Sequence, residues 1–524
     1  MTTKIERTGL LIAICFSLTL FNNAWAQSTL NLLGKLPYDG VNTNSSADLS
    51  DIWGYATATH EFAIVGLIDG TSIVDITDPT NPIEVYWSPG ASTFWRDIKT
   101  WKNYAYVTNE SSNGLEIIDL SGLPASASST TYTGGILVGT TTNVSFTSAH
   151  NLYIDENGIA YIFGANYGTG GTIMLNVEAN PTNPPVVGLY NVRYCHDGFV
   201  KNNILYSAEI NNGIFSIVDL ADKLNPIILG TASTTNNFTH NVWLSDNGNY
   251  LFTTDEVFGA EIGAYDISDV TDIKRVDGIK SSSGNNTVVH NTHVLNDFLI
   301  TSYYDDGLTV VDANCPDILV EVANYDTSTN LSQNDGCWGA YPFLPSGNII
   351  ASDINNGLFI LNNNYQRASY LIGNITNENG TAINNVNVTI TGFPLGATTT
   401  NFVGEYKTGI PNAGTYPVIF TAPGYDPITL NIDFEIGIKT AQNIQFGVSS
   451  VCPANLNITG NINSGIYKAD DIITSTGKIN STSNGSVTFN AGFNNNEYIE
   501  LMVDFEADGS FDFIAENKQC DTTD

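Results

Sequence analysis

Gly114-Leu-Glu-Ile-Ile-Asp119 opens on a glycine, runs through aliphatic residues and ends on an acid ahead of a turn. The same pattern stands at Gly70-Thr-Ser-Ile-Val-Asp75, Gly171-Thr-Ile-Met-Leu-Asn176, Gly213-Ile-Phe-Ser-Ile-Val-Asp219, Gly259-Ala-Glu-Ile-Gly-Ala-Tyr-Asp266, Gly307-Leu-Thr-Val-Val-Asp312 and Gly357-Leu-Phe-Ile-Leu-Asn362. The starts lie 44, 57, 42, 46, 48 and 50 residues apart, a period that suits four short strands and their turns. Strand-like runs such as Ala160-Tyr-Ile-Phe-Gly164 and Tyr250-Leu-Phe-Thr-Thr254 precede the glycines, and turns such as Asp78-Pro79, Asn81-Pro82 and Asn225-Pro226 follow the acids. The fourth strands expected after the first six motifs are 83–87, 133–138, 186–190, 227–230, 273–278 and 318–322. The seventh motif has none, whereas Asn31-Leu-Leu-Gly-Lys-Leu36 stands unassigned before the first unit. Pairing the two removes the open edge of a ring. The expectation is an all-β chain whose residues 28–365 form a seven-bladed β-propeller closed by its N-terminal strand.

Composition agrees with strands and turns: aromatics are 11% of the 524 residues, with 47 Gly and only 3 Met. The 18 Lys+Arg against 53 Asp+Glu give a formal net charge of −35. That field repels phosphate backbones and anionic headgroups, so nucleic acid and acidic membranes are not expected partners. Lys4 and Arg7 precede the apolar stretch from Leu10 to Phe21, which ends at Ala24-Trp25-Ala26. Residues 1–26 therefore read as a signal peptide, too short in its apolar part to span a bilayer. Ile14 before Cys15 disfavours a lipoprotein cleavage site. The expected location is extracellular or at the cell surface or outer membrane, with a monomeric propeller and no transmembrane segment. In an oxidising compartment the sequence-local pairings are Cys315 with Cys337 and Cys452 with Cys520, leaving Cys195 odd, although spacing alone does not set connectivity.

From Gly373 the period changes. Val386-Asn-Val-Thr-Ile390, Gly404-Glu-Tyr406, Gly414-Thr-Tyr-Pro-Val418 and Ala422-Pro-Gly-Tyr425 alternate between glycine turns, which predicts a small β-sandwich over 370–447. Shorter alternating runs, Ile472 to Gly477, Val487 to Phe489 and Tyr498 to Leu501, predict a β-rung module over 452–524. Residues 366–370 and 447–451 read as exposed linkers. Asp504, Asp508 and Asp512 raise calcium as a cofactor, but they lack the close spacing of an oxygen-ligand loop.

Chemistry gathers at the unit starts. His150, His196, His240 and His290 each precede Asn or Asp, Asp51 and Asp97 are read as holding the matching place in the first two units, and Cys337-Trp338 does so in the last. A residue repeated at the start of each unit's first strand converges on a central axis, and the ends of the second strands return to the same face. The expected ligand-binding mouth is Asp97, Glu110, His150, His196, Asp197, His240, Glu256, His290 and Asp353. A metal set of His150, His196, His240, His290 and Glu209 is expected within it, since imidazole with carboxylate suits a zinc-like divalent ion. Imidazole beside an acid also suits acid or base chemistry, whereas polar rings of this kind also serve structure by bonding to neighbouring loops. No Gly-x-Ser-x-Gly elbow, phosphate loop or CxxC pair occurs. Cys195 reads as a buried thiol, and His60 and His293 as surface or packing residues.

The repeat resembles the LVIVD repeat. Trp95-Arg-Asp-Ile98, His150-Asn151, Cys195-His-Asp197, Thr239-His-Asn241, His290-Asn-Thr-His293, Ser302-Tyr-Tyr304, Trp338-Gly-Ala-Tyr-Pro342 and Ala351-Ser-Asp353 resemble the choice-of-anchor B family of bacterial secreted and surface proteins over residues 28–365. That resemblance implies a surface-associated propeller and assigns no activity. Residues 370–447 resemble the carboxypeptidase regulatory-like domain, which implies a spacer or adhesive module, and 452–524 resemble the stacked-rung terminal modules of exported Bacteroidetes proteins. Two readings follow. One is a recognition or adhesion protein for an extracellular glycan, peptide or surface protein. The other is a metal-dependent hydrolase or lyase acting at the mouth, supported by the His and acid ring alone.

Overall fold

A computed structural model describes residues 28–41, 43–44, 48–281, 287–328, 335–362 and 364–447, and from 455 to 517 the strands with a few residues beside them. The expected signal peptide, Cys452, Cys520, Asp504, Asp508 and Asp512 lie outside the described residues. Among those described the chain is all-β, with single 3-10 turns at Ile210–Asn212 and Tyr304–Asp306. Among the described residues no sheet closes into a barrel. Among the described residues no helix is long and apolar enough to cross a membrane.

Seven antiparallel four-stranded units lie between residues 31 and 362. The first comprises Leu49–Ala56, Glu61–Leu67, Gly70–Asp75 and Ile83–Pro89, and four later sheets repeat that consecutive order. The sixth, Val289–Leu295, Phe298–Tyr303, Gly307–Asp312 and Val320–Tyr325, gains Ser28–Thr29 in parallel at its outer edge. The seventh has three consecutive strands, Cys337–Tyr341, Ile349–Asp353 and Gly357–Asn362, and its fourth is Asn31–Leu36, with Leu32 opposite Leu361 and Leu36 opposite Leu358. Each opening strand touches the opening strand of the next sheet, and the seventh touches the first. The apolar core lies between sheet faces: Ile52, Val65 and Val74 of the first pack with Leu344, Ile350 and Ile360 of the seventh.

The repeated motif has a local explanation. Its acid caps the following turn: Asp75, Asp119, Asp219, Asp266 and Asp312 each accept the N–H two residues on, at 2.7 to 3.0 Å. Its glycine enters the third strand where the chain crowds its neighbour. Gly307 has φ +73°, and a Cβ there would lie 2.2 Å from the carbonyl oxygen of Tyr325.

Two expectations are corrected. The fourth strand of the second sheet is Ser128–Tyr132, not 133–138. That outer strand is mostly exposed, so polar residues suffice, and the apolar run beyond it enters a hairpin of Gly134–Ile136 with Asn143–Ser145. Leu137, Val144 and Phe146 then pack against neighbouring sheets, which accounts for the long second interval. The second correction concerns residues 366–370, where Ala368, Ser369 and Tyr370 are fully buried. Asp312 accepts bonds from Arg367 Nη1, the Ala368 N–H and the Tyr370 hydroxyl, each at 2.7 Å. This junction is a packed joint and not an exposed linker.

Beyond it, one sheet joins Glu405–Ile410, Ser369–Asn377 and Lys439–Ala441, with Ile444–Phe446 also on Ser369–Asn377. The other orders Phe393–Thr399, Asn387–Ile390, Gly414–Thr421 and Ile428–Phe434. Leu371, Val388, Tyr406, Phe420 and Phe434 fill the space between them. In the C-terminal stretch, strands pair in parallel across rungs, for example Asn455–Ile458 with Ile472–Ser475 and then Tyr498–Leu501. Three such three-stranded sheets form.

Candidate functional site

The opening strands meet around a central space, and their first residues form layers within it. Successive strand residues ordinarily face opposite sides, but bulges interrupt that alternation here. In the fifth sheet pairing jumps from Thr239 opposite Asp255 to Asn241 opposite Thr254, leaving His240 as an extra residue. The seventh sheet does the same at Trp338, and the sixth shifts between Val289 and Thr292. Such bulges re-aim side chains, and His240 and Asn241 both contact groups of the central space.

This corrects the register of the repeat. Asp51 and Asp97 do not hold the histidines' place; they align with Asn151, Asp197, Asn241 and Asn291, one residue further on. Asp51 Oδ2 accepts the N–H of Ile98 at 3.2 Å, and Asp97 Oδ1 accepts that of Leu152 at 3.3 Å. Asp197 accepts from Asn241 Nδ2 at 2.7 Å, and Asn241 Oδ1 accepts the N–H of Thr292 at 3.1 Å. Each side chain ties its strand to the next, which is structural work.

Lys99 reaches into this belt, 2.7 Å from Asp97 and 3.4 Å from Asp51. Burial holds the Asp97 carboxyl well above its usual range against the opposing pull of Lys99, and burial likewise raises Asp197. Burial opposes charge on Lys99 itself, but Asp97 and Asp51 outweigh it and raise its pKa. Two residues beyond each belt position stand Trp53, Lys99, Tyr153, Phe199, Trp243, His293 and Tyr341. Their rings pack together: Trp53 lies 4.7 Å from Tyr341, Trp243 4.5 Å from His293, and Lys99 Nζ 4.4 Å above Trp53. His293 is therefore a packing residue, as expected. This layer was missed in the sequence, although in the first six sheets a spacing of two after the belt Asp or Asn marks it; in the seventh Tyr341 follows Gly339.

Above the belt the four histidines form a continuous arc. Ring centroids are 3.9 Å apart for His150 and His196, and 4.5 Å for both His196 with His240 and His240 with His290. Glu110 Oε1 lies 2.6 Å from His150 Nδ1. Glu256 Oε2 is 3.5 Å from His240 Nε2, and its Oε1 is 4.0 Å from His290 Nε2. The Tyr304 hydroxyl donates to Glu256 Oε1 at 2.6 Å. His290 Nδ1–H donates to the Trp338 carbonyl at 2.6 Å, which leaves the Nε2 lone pair open.

Burial, then the neighbouring imidazoles, hold His196 well below its ordinary pKa, and burial first lowers His240 and His290 to about 3. These rings are neutral near neutral pH and able to donate a lone pair. Donor atoms of His150, His196 and His240 lie within 4.8 Å of one another, and so do those of His240, Glu256 and His290.

Other expected site residues do not reach the arc. Glu209 is fully buried against the Tyr190 hydroxyl at 3.0 Å and Arg193 Nη1 at 3.1 Å, which removes it from the metal set. Asp353 accepts from the Thr327 hydroxyl and from the N–H groups of Asn355 and Asn356, so it braces a turn. Asp97 and Asp197 belong to the belt below. Tyr304 and Trp338 join the arc as its far wall, at 5.0 and 4.7 Å from His290. Cys195, Cys315 and Cys337 are buried free thiols, so the pairing of Cys315 with Cys337 is not formed. Cys337 opens the seventh sheet at the central space, whereas Cys315 follows the third strand of the sixth, near Tyr370 and Lys439.

Residues 371–447 match the carboxypeptidase regulatory-like domain. That family covers the sandwich and leaves the histidine arc outside the match. A comparison with curated proteins finds no match.

Proposed function

We propose that the protein is exported and surface-associated, a recognition or adhesion protein of the choice-of-anchor B kind. In this reading the seven sheets are the blades of a propeller closed by Asn31–Leu36, and its mouth takes an extracellular glycan. The observation that carries it is a set of exposed apolar residues in the segments that lead into or out of site strands: Phe94 and Trp95 shortly before Asp97, Val192 four residues before His196, and Phe258 two after Glu256. Aromatic faces beside acids and imidazoles suit a sugar, which offers an apolar ring face with hydroxyls around it. The buried joint at Asp312 fixes the regulatory-like module to the sixth sheet, as a rigid spacer requires. The arc itself favours a second reading, a metal-dependent hydrolase or lyase at the same mouth.

The test passes the secreted full chain over immobilised neutral polysaccharides. Retention of a polymer whose chain length is unchanged, weakened more than about tenfold by Trp95→Ala, is expected. Shortened polymer moves the protein to the second reading, and failure to retain any polysaccharide overturns the first.

A further inference from the structure

We propose that His240, His290 and Glu256 hold one divalent first-row transition-metal ion. The inference goes beyond glycan recognition and does not depend on it.

The distances carry the argument. Glu256 lies 3.5 Å from His240 Nε2 and 4.0 Å from His290 Nε2, too far for strong hydrogen bonds. Two ligands on one tetrahedral ion with bonds of about 2.0–2.1 Å stand about 3.3 Å apart, so the set is a short adjustment from coordination. Two of the three donors are held from behind. The Trp338 carbonyl fixes the tautomer of His290, and Tyr304 orients Glu256, which are the outer contacts that metal ligands need. His196 is only 8% exposed and its Nε2 has no hydrogen-bond partner, while its ring centroid is 4.5 Å from that of His240. Its donor atom groups with those of His150 and His240, so it lines the same space next to the set without belonging to it. Neutral imidazoles with one carboxylate select a borderline ion such as zinc over calcium, which prefers oxygen ligands throughout. His150 has a comparable outer contact, its Nδ1 being engaged by Glu110 at 2.6 Å, but its donor atom groups with those of His196 and His240 and not with those of Glu256 and His290; it stands beside the ion and not on it.

The full chain, stripped with chelator, is titrated with zinc alone and separately with cobalt for its absorption spectrum. About one ion per chain is expected. Glu256→Gln and His290→Ala should each weaken binding at least about 100-fold, and Tyr304→Phe about tenfold, while His150→Ala leaves it unchanged. Glu256 is partly exposed, so Glu256→Gln keeps the test open if His290→Ala fails to fold, with circular dichroism melting as the check. No stoichiometric binding by the wild type overturns the proposal, as does full binding by folded Glu256→Gln. Loss in His150→Ala with retention in His290→Ala also overturns it and places the ion on His150, His196 and His240. Zinc binding without polysaccharide retention leaves the metal site standing and removes the recognition reading.

Discussion

The histidine arc and the Asp/Asn belt stand one residue apart at the start of the third to sixth sheets, all but His150 being buried, yet they use their polar atoms differently. In the belt Asp51, Asp97, Asp197 and Asn241 are each matched to a donor of the next sheet, as Asp51 is to the Ile98 N–H and Asp197 to the Asn241 amide. In the arc the imidazoles stack on one another, Glu256 stands beyond bonding distance of two of them, and His196 Nε2 has no partner. Most belt atoms complete the backbone of the next sheet, whereas the imidazoles and Glu256 of the arc face one another.

The belt should therefore be fragile and the arc tolerant. Lys99→Met leaves Asp51 and Asp97 buried beside each other, and should lower unfolding free energy by about 3–5 kcal/mol, read as a fall in the urea midpoint. Asp197→Ala strips acceptors from Asn241 Nδ2 and the Gly198 N–H, and should cost about 1–3 kcal/mol by the same measurement.

A third outcome concerns pH. Burial, and then Lys99, lower His293 to about 3, below an unfolded value of about 6.5. As pH falls the unfolded chain takes this proton first, so the contribution is complete above pH 6.5 and is lost toward pH 3. At pH 5 the loss is about 2 kcal/mol. His293→Gln should flatten the stability slope between pH 6 and 4 by about one proton, and an unchanged slope would remove His293 from the buried layer. The smallest effect is expected for His196→Ala, within about 1 kcal/mol of wild type, because no hydrogen bond to its Nε2 is lost. A loss as large as that of Asp197→Ala would erase the distinction between the layers.

The pattern of glycine, aliphatics and acid was legible because each part has a local cause: a crowded left-handed entry at Gly307 and a turn cap at Asp312. The need for Asn31–Leu36 at the seventh sheet was legible by counting strands. Ser128–Tyr132 was not, because an outer strand with four exposed residues carries no apolar signal, and Gly135-Ile-Leu-Val138 imitated one. Of the site, the four histidines and Glu256 were legible from their repeated position. Glu209 misled because a strand-end position does not show that Arg193 and Tyr190 claim its carboxylate.

By itself the sequence determined the all-β class, the number of units, the change of period at Gly373 and the recurrence of imidazole before Asn or Asp, since all of these rest on spacing along the chain. Tertiary structure decided the rest. Bulges at His240 and Trp338 broke the strict alternation on which register depends, so the place of Asp51 and Asp97 one residue below the histidines could appear only once strands were paired. The joint at Asp312, the separation of Cys315 from Cys337 and the choice of Glu256 over Glu209 depend on which distant segments meet. Spacing fixes direction along one strand, whereas partners are chosen by packing among sheets.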